Sequence, residues 1–280
     1  MKINKDSLKA KANNLAKVLN VTKNEIYNRF FYDAFISRLA VSPYKNSFVL
    51  KGGLYLSAFL GIDLRSTMDI DFYLKRIEME KDTLLKIVEE IASIDLNDDI
   101  EFYVTDYEEI RKEDIYGGFR IGLIGKLSNV RCSLKIDIAT GDPIVPSDIA
   151  YDYKCLLTGE VLAIRAYSLE SVIAEKLETI LHKATFNSRS KDFFDLYILS
   201  NDLNGKIDIE VLKRAFKETC IYRHFSIQKE EALFIIDRIS KDRKMAERWN
   251  KYRQNVKYVE NVSLPQVISK IESFIEIIFD

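Results

Sequence analysis

The hydrophobic and polar positions along the chain change their period near its middle. Residues 5–19 and 23–40 repeat at helical spacing, and in the second stretch Phe30, Phe31, Ala34, Phe35, Arg38 and Leu39 share that spacing. Phe48 to Leu50 is a short apolar strand broken by Gly52-Gly53, and Leu54 to Leu60 reads as a short helix. Met68 to Leu74 alternates as a strand, with Ile70, Phe72 and Leu74 on one side. Residues 79–94 are predicted helical, and 100–105, 119–127 and 130–139 are predicted strands. Beyond Ser168 the period is helical to the end. All glycines except Gly159 and Gly205 lie at or before Gly141. This shift predicts an α/β first half and a helical second half, with a boundary near residues 145 to 165. The expected division is 1–160 and 161–280, without internal repeats or low-complexity segments.

Composition narrows the class. Of 280 residues, 47% are hydrophobic and 30% charged, which supplies a substantial core and excludes disorder as the dominant state. The formal net charge of −1 excludes a protein that coats nucleic acid over its whole surface. Cys132, Cys155 and Cys220 are widely spaced, and only His182 and His224 could join them, so neither a zinc site nor a disulfide framework is expected. Met1 to Lys23 carries six lysines and no continuous apolar core, unlike a signal peptide. No apolar run approaches roughly 18 residues, so no membrane span is expected. The expectation is a cytoplasmic monomer without a membrane partner, whose chemistry rests on carboxylates, Lys and Arg.

One constellation carries that chemistry. Lys51-Gly52-Gly53 follows a strand and opens a helix, so the backbone can turn tightly and bring N–H groups near an anion. The positive end of the helix adds to this cradle for phosphate. Asp69 and Asp71, spaced i, i+2 on a strand, point to one face. Two adjacent carboxylates repel unless a cation lies between them, and hard oxygen donors suit Mg²⁺ together with substrate phosphates. In Ser133 to Ala139, Leu134, Ile136 and Ile138 alternate with Lys135 and Asp137. If this strand neighbours 68–74, three carboxylates share a surface, as two-metal nucleotidyl transfer needs. Arg65 and Thr67 shape the loop before the carboxylates, with Arg65 either reaching a phosphate or packing that loop.

The run FVLKGGLYLSAFLGIDLRSTMDIDFYL resembles the active-site motif of the polymerase-β-like nucleotidyltransferases, and more narrowly the AbiEii/AbiGii abortive-infection toxins. KIDIATGD (135–142), SLESVIAEKLETIL (168–181) and NSRSKDFFDLYIL (187–199) support the narrower match, which spans roughly residues 28 to 200. The resemblance implies an α+β fold, with a polymerase-β-like lobe of mixed sheet and a C-terminal helical lobe that closes the nucleotide cleft. It implies Asp69 and Asp71 as metal ligands and Asp137 as the third acid, with Asp142 an alternative. Gly52 and Gly53, with Lys51, would contact the nucleoside triphosphate, and Lys176, Asp192 and Asp195 match later functional motifs. It further implies a growth-blocking toxin that transfers a nucleotide to an RNA acceptor, the tRNA 3′ end being favoured, and a repressor-like antitoxin partner. A protein acceptor and a non-enzymatic nucleotide- or RNA-binding module are the competing readings.

The later motifs also read on their own chemistry. On a helix over 169–184, Lys176 falls inside an apolar stripe, so it needs either a buried carboxylate partner or a phosphate. Asp192 and Asp195, i, i+3 on a largely apolar helix, are expected to pair with Lys176 or Arg189, to act directly, or to orient Lys176. Charge is unevenly spread: residues 69–114 carry a net −10 and 240–258 a net +5, the latter with Trp249, Tyr252 and Tyr258 interleaved. Basic residues with aromatics suit a phosphate backbone and exposed bases, whereas the plain alternative is a solvated helix face. The lysines at 2, 5, 9, 11, 17 and 23 could extend that surface.

Overall fold

The computed structural model describes residues 3–63, 65, 67, 69–110, 117–202 and 205–280. Met68, Lys2 and residues 111–114, which figure in the expectations above, lie outside them. The chain divides into two compact units, Met1–Gly141 with Ile149–Ala166, and Asp142–Asp148 with Tyr167–Asp280.

The first unit is built on a seven-stranded mixed sheet. Its strands are β1 (Phe48–Lys51), β2 (Ile70–Leu74), β3 (Ile100–Ile110), β4 (Gly118–Leu127), β5 (Val130–Ala139), β6 (Ile149–Lys154) and β7 (Val161–Ala166), in the order β3-β4-β5-β2-β1-β7-β6. β2 runs parallel to β5 and β1 parallel to β7, and the other pairs are antiparallel. Helices α1 (Lys5–Val18), α2 (Lys23–Val41), α3 (Gly52–Leu60) and α4 (Lys81–Ala92) complete the unit. Thr22 caps α2 in a reciprocal capping box with Glu25, which fixes where that helix starts. The alternation expected of β2 and β5 is present: Ile70, Phe72, Leu74, Leu134, Ile136 and Ile138 are buried, while Asp71 and Asp137 stand between them. α2 lies close on the sheet, since a Cβ at Gly125 would come within 2.5 Å of the Phe31 ring.

A buried ionic network ties α2 to the rest of this unit. Arg29 Nε donates to Asp33 Oδ1 at 2.7 Å, Nη1 to Ser57 Oγ at 3.2 Å and Nη2 to the Lys154 carbonyl at 3.4 Å. Asp33 also accepts from Tyr153 Oη and from the Leu156 amide, each at 2.6 Å. Removing one member of a buried pair leaves the other charge uncompensated. Asp33→Ala is therefore expected to lower stability by about 3 kcal/mol, the lower end of that range because Arg29 keeps its Ser57 and Lys154 partners. Urea unfolding of the full chain measures it, and a loss below about 1 kcal/mol would contradict this account.

The second unit contains α5 (Leu169–Lys183), α6 (Ser190–Leu199), α7 (Ile209–Tyr222), α8 (Lys229–Lys241), α9 (Arg243–Asn255) and α10 (Leu264–Phe279). Its core includes Leu177, Leu181, Phe193, Ile236, Trp249, Ile271 and Phe274. The aromatic part of the basic stretch is corrected here. Trp249 is buried and donates its indole N–H to the Val262 carbonyl, and Tyr252 and Tyr258 pack around Phe194. The rings serve the core because they lie on the inward side of α9 and of the turn after it, leaving lysines such as Lys244 and Lys251 outside. Exposed rings beside basic residues are instead Phe186, with Lys183, Arg189 and Lys191 close by in the chain, and Phe234, which faces Arg238. Among the described residues no helix is long and apolar enough to cross a membrane.

Candidate active site

The first unit gathers the predicted cradle at the junction of β1 and α3. β1 ends at Lys51 and α3 begins at once with Gly52, two residues earlier than the sequence pattern suggested. Gly52 has φ +64, a left-handed conformation that favours glycine. A Cβ there would also collide with the carboxylate of Asp71, which lies against this glycine. Gly53 N–H donates to Asp71 Oδ2 at 3.2 Å, so the helix start already holds an anion, as unpaired amides and the helix dipole favour. A Cβ on Gly53 would come within 2.5 Å of Thr67 Oγ1 and 3.4 Å of Arg65 Nη2. Arg65 is buried, and Thr67 Oγ1 donates to the Asp69 carbonyl at 3.3 Å. Lys51, Gly52, Gly53, Arg65, Thr67 and Asp71 thus meet around one turn.

Strand register brings in the acids. Asp71 is the Cα partner of Lys51 on β1 and of Asp137 on β5. Residues paired across neighbouring strands share a face, so Lys51, Asp71 and Asp137 do. Asp69 directly precedes β2, and its charge acts on Arg120. Asp142, the alternative third acid, belongs to the second unit and accepts from Arg223 Nη2 at 2.9 Å. Among the described residues, no three His, Cys, Asp or Glu side chains are gathered as a metal-binding group. Both oxygens of Asp137 instead accept from Arg120, from Nε and Nη2 at 2.7 Å each.

A divalent cation fits part of this arrangement. Asp69 and Asp71 supply hard oxygen donors, and Gly52 leaves Asp71 Oδ2 uncovered by any side chain of its own. The third carboxylate is already neutralised by a guanidinium. Sequence reasoning missed Arg120, although an Arg between Phe119 and Ile121 in a half-buried strand signals a paired charge. It missed Tyr32 as well. This phenol is 1% exposed, and its hydroxyl has no hydrogen-bond partner among the described residues. Burial first, then the charge of Asp69 with smaller contributions from Cys132 and Asp71, raises its pKa far above the usual tyrosine value. In sequence Tyr32 is indistinguishable from the core aromatics around it.

The second unit holds the later motifs by itself. Lys176 Nζ lies 2.7 Å from Asp192 Oδ1 and 2.8 Å from Asp195 Oδ2, and Arg189 Nε lies 3.0 Å from Asp192 Oδ2. The pairing expected of these four residues is therefore present, with both carboxylates on Lys176. A second cluster joins Arg223 to Asp142, Glu178 and Thr179, and Glu178 to His182.

This α+β fold is shared with two solved structures, one of them of a candidate nucleotidyltransferase. A crystal structure of a candidate nucleotidyltransferase from H. pylori matches with a TM-score of 0.53 at 17% identity, covering 92% of this chain and 96% of that one. The structure of JHP933 from Helicobacter pylori matches with a TM-score of 0.51 at 17% identity, covering 91% of each chain. At such identity the likeness is one of fold. Over residues 34–272 the chain matches the family described as nucleotidyl transferase AbiEii toxin of type IV toxin–antitoxin systems, and it belongs to that family. A comparison with curated proteins returns no match.

Proposed function

We propose that this chain transfers a nucleotidyl group from a nucleoside triphosphate to an RNA hydroxyl, with the tRNA 3′ end as the favoured acceptor, and so acts as the growth-inhibiting member of a pair with a repressor-like antitoxin. The observation that carries the reading is the register that sets Asp71 beside Asp137, with Gly52 and Gly53 closed against Asp71. In the reaction, an acceptor oxygen bonds to the α-phosphorus, the bond to the β-phosphate oxygen breaks, and pyrophosphate leaves. The Gly53 amide and the N-terminal end of α3 favour the phosphates, and Lys51 and Arg65 add positive charge there. Asp69 and Asp71 would hold Mg²⁺, which when bound supplies charge to the transferring phosphate and to the leaving oxygen. Asp137 accepts the proton of the attacking hydroxyl. Lys176, oriented by Asp192 and Asp195, is assigned to the triphosphate on its motif. The acceptor reading draws on the exposed lysines of 241–257 and on Phe186, a free ring on which a base can stack.

Incubating the protein and Mg²⁺ with labelled triphosphates, total RNA and total protein tests this. Label is expected in small RNA, and none with Asp69→Ala/Asp71→Ala. Label in protein but not RNA would overturn the acceptor, and a double variant that still blocks growth would favour sequestration over catalysis.

A further inference from the structure

Asp137 is the Cα partner of Asp71 on one side and of Arg120 on the other. The Arg120 guanidinium faces it side-on, with one 2.7 Å hydrogen bond to each oxygen. This fork uses the same two oxygens that a metal ion or a substrate proton would need. It also sets a full positive charge beside Asp137, where a dication approaching the carboxylates meets like charge. The pair is not locked away: 31% of the Arg120 side chain and 16% of the Asp137 side chain are exposed, so the guanidinium has solvent to move into. Arg120 also stands in the field of Asp69 and Glu108, so it is drawn to the acidic face as a whole.

We propose that Arg120 is a resident counter-cation of the acidic face, which competes with a divalent metal ion for Asp137 and keeps that carboxylate out of service until it is displaced. The proposal rests on the reading of Asp69 and Asp71 as metal ligands. It makes Arg120 a positioning residue that acts through Asp137. Two consequences follow. Metal affinity in the absence of nucleotide is set partly by Arg120, and Asp137 becomes free to take a proton only when the fork opens. The arrangement also explains how closely spaced carboxylates coexist before any ion binds, since one of them is neutralised from within the sheet.

Mn²⁺ binding to the full-length protein without nucleotide, followed by calorimetry and by the electron paramagnetic resonance of free Mn²⁺, tests this. Arg120→Ala is expected to bind Mn²⁺ about tenfold more tightly than the wild type, the scale of a charge-assisted fork discounted for its exposure. Arg120→Lys, which keeps the charge and loses the fork, is expected to fall between them and decides the matter if the alanine variant does not fold. The gain must vanish in Arg120→Ala/Asp137→Asn. Unchanged or weaker Mn²⁺ binding in both Arg120 variants overturns the proposal, and so does a gain that survives the added Asp137→Asn. The two readings separate cleanly. Wild-type binding that is lost in Asp69→Ala/Asp71→Ala but indifferent to Arg120 sinks only the counter-cation, whereas no Mn²⁺ binding by any variant sinks the metal site and the counter-cation together.

Discussion

Asp71→Ala is expected to reduce nucleotidyl transfer about a thousandfold or more while leaving the protein folded. The size follows from the several kcal/mol that a bound metal contributes to transition-state charge, at about 1.4 kcal/mol per decade of rate. The preserved fold follows from the surroundings of Asp71. It is half-buried and stands beside another carboxylate, and the neutral contact it forfeits is one 3.2 Å hydrogen bond from the Gly53 amide. Asp137 beside it keeps Arg120 as its counter-charge, so unfolding is expected to stay within a few degrees of the wild type, on the scale of about 1 kcal/mol. Gly52→Ala is the informative companion. Its φ of +64 is strained for alanine, and the new methyl displaces the Asp71 carboxylate. Loss of transfer there, with all acids intact, would show that the position of Asp71 matters and not merely its charge. Transfer by Asp71→Ala within tenfold of the wild type would remove this carboxylate from the reaction.

The elements that position these residues were legible where periodicity and turn chemistry agree. β2 and β5 fall where alternation puts them, because each buries one row of side chains and leaves the other at least partly open, whereas α2 follows helical spacing although it is buried on every side from Asn28 to Ile36. The adjacency of β2 and β5 was conditional in the sequence, since no local pattern states which strands pair. Strands β6 and β7 were missed. They are six residues each and follow the boundary signals near residue 145, where short alternation such as Ile149, Tyr151 and Tyr153 competes with the impression of a linker. The start of α3 at Gly52 was missed because glycine is a poor helix former, and here it is required by a close approach that only the tertiary structure reveals. Candidate acids could be picked out by spacing, but their partners could not. That Asp137 belongs with Arg120, and Asp142 with Arg223, depends on cross-strand register in one case and on a contact across 81 residues of chain in the other.

Lys176→Met is expected to cost about 5 kcal/mol of stability at neutral pH, the upper end for breaking a buried pair, because one ammonium serves two carboxylates. Asp195 is wholly buried and would lose this partner, while Asp192 would retain Arg189. The pH dependence fixes the mechanism. Burial alone would lower the Lys176 pKa, but attraction to Asp192 and Asp195 outweighs it and holds the value above the ordinary 10.5. The stabilisation from Lys176 is therefore complete below about pH 10.5 and is lost as pH rises through the higher folded value. For Asp192, burial alone would raise the pKa, but Lys176 and then Arg189 hold it below the ordinary 3.8. Its contribution is present above about pH 3.8 and is lost as pH falls through the lower folded value. The gap in unfolding free energy between wild type and variant should therefore be widest near neutrality. It should narrow towards acid, where the carboxylates that have lost Lys176 in the variant are relieved by taking up protons, and towards strong base. Urea unfolding across that range measures it. A gap that does not change with pH would mean that Lys176 stabilises this unit by packing its aliphatic stem and not by its charge.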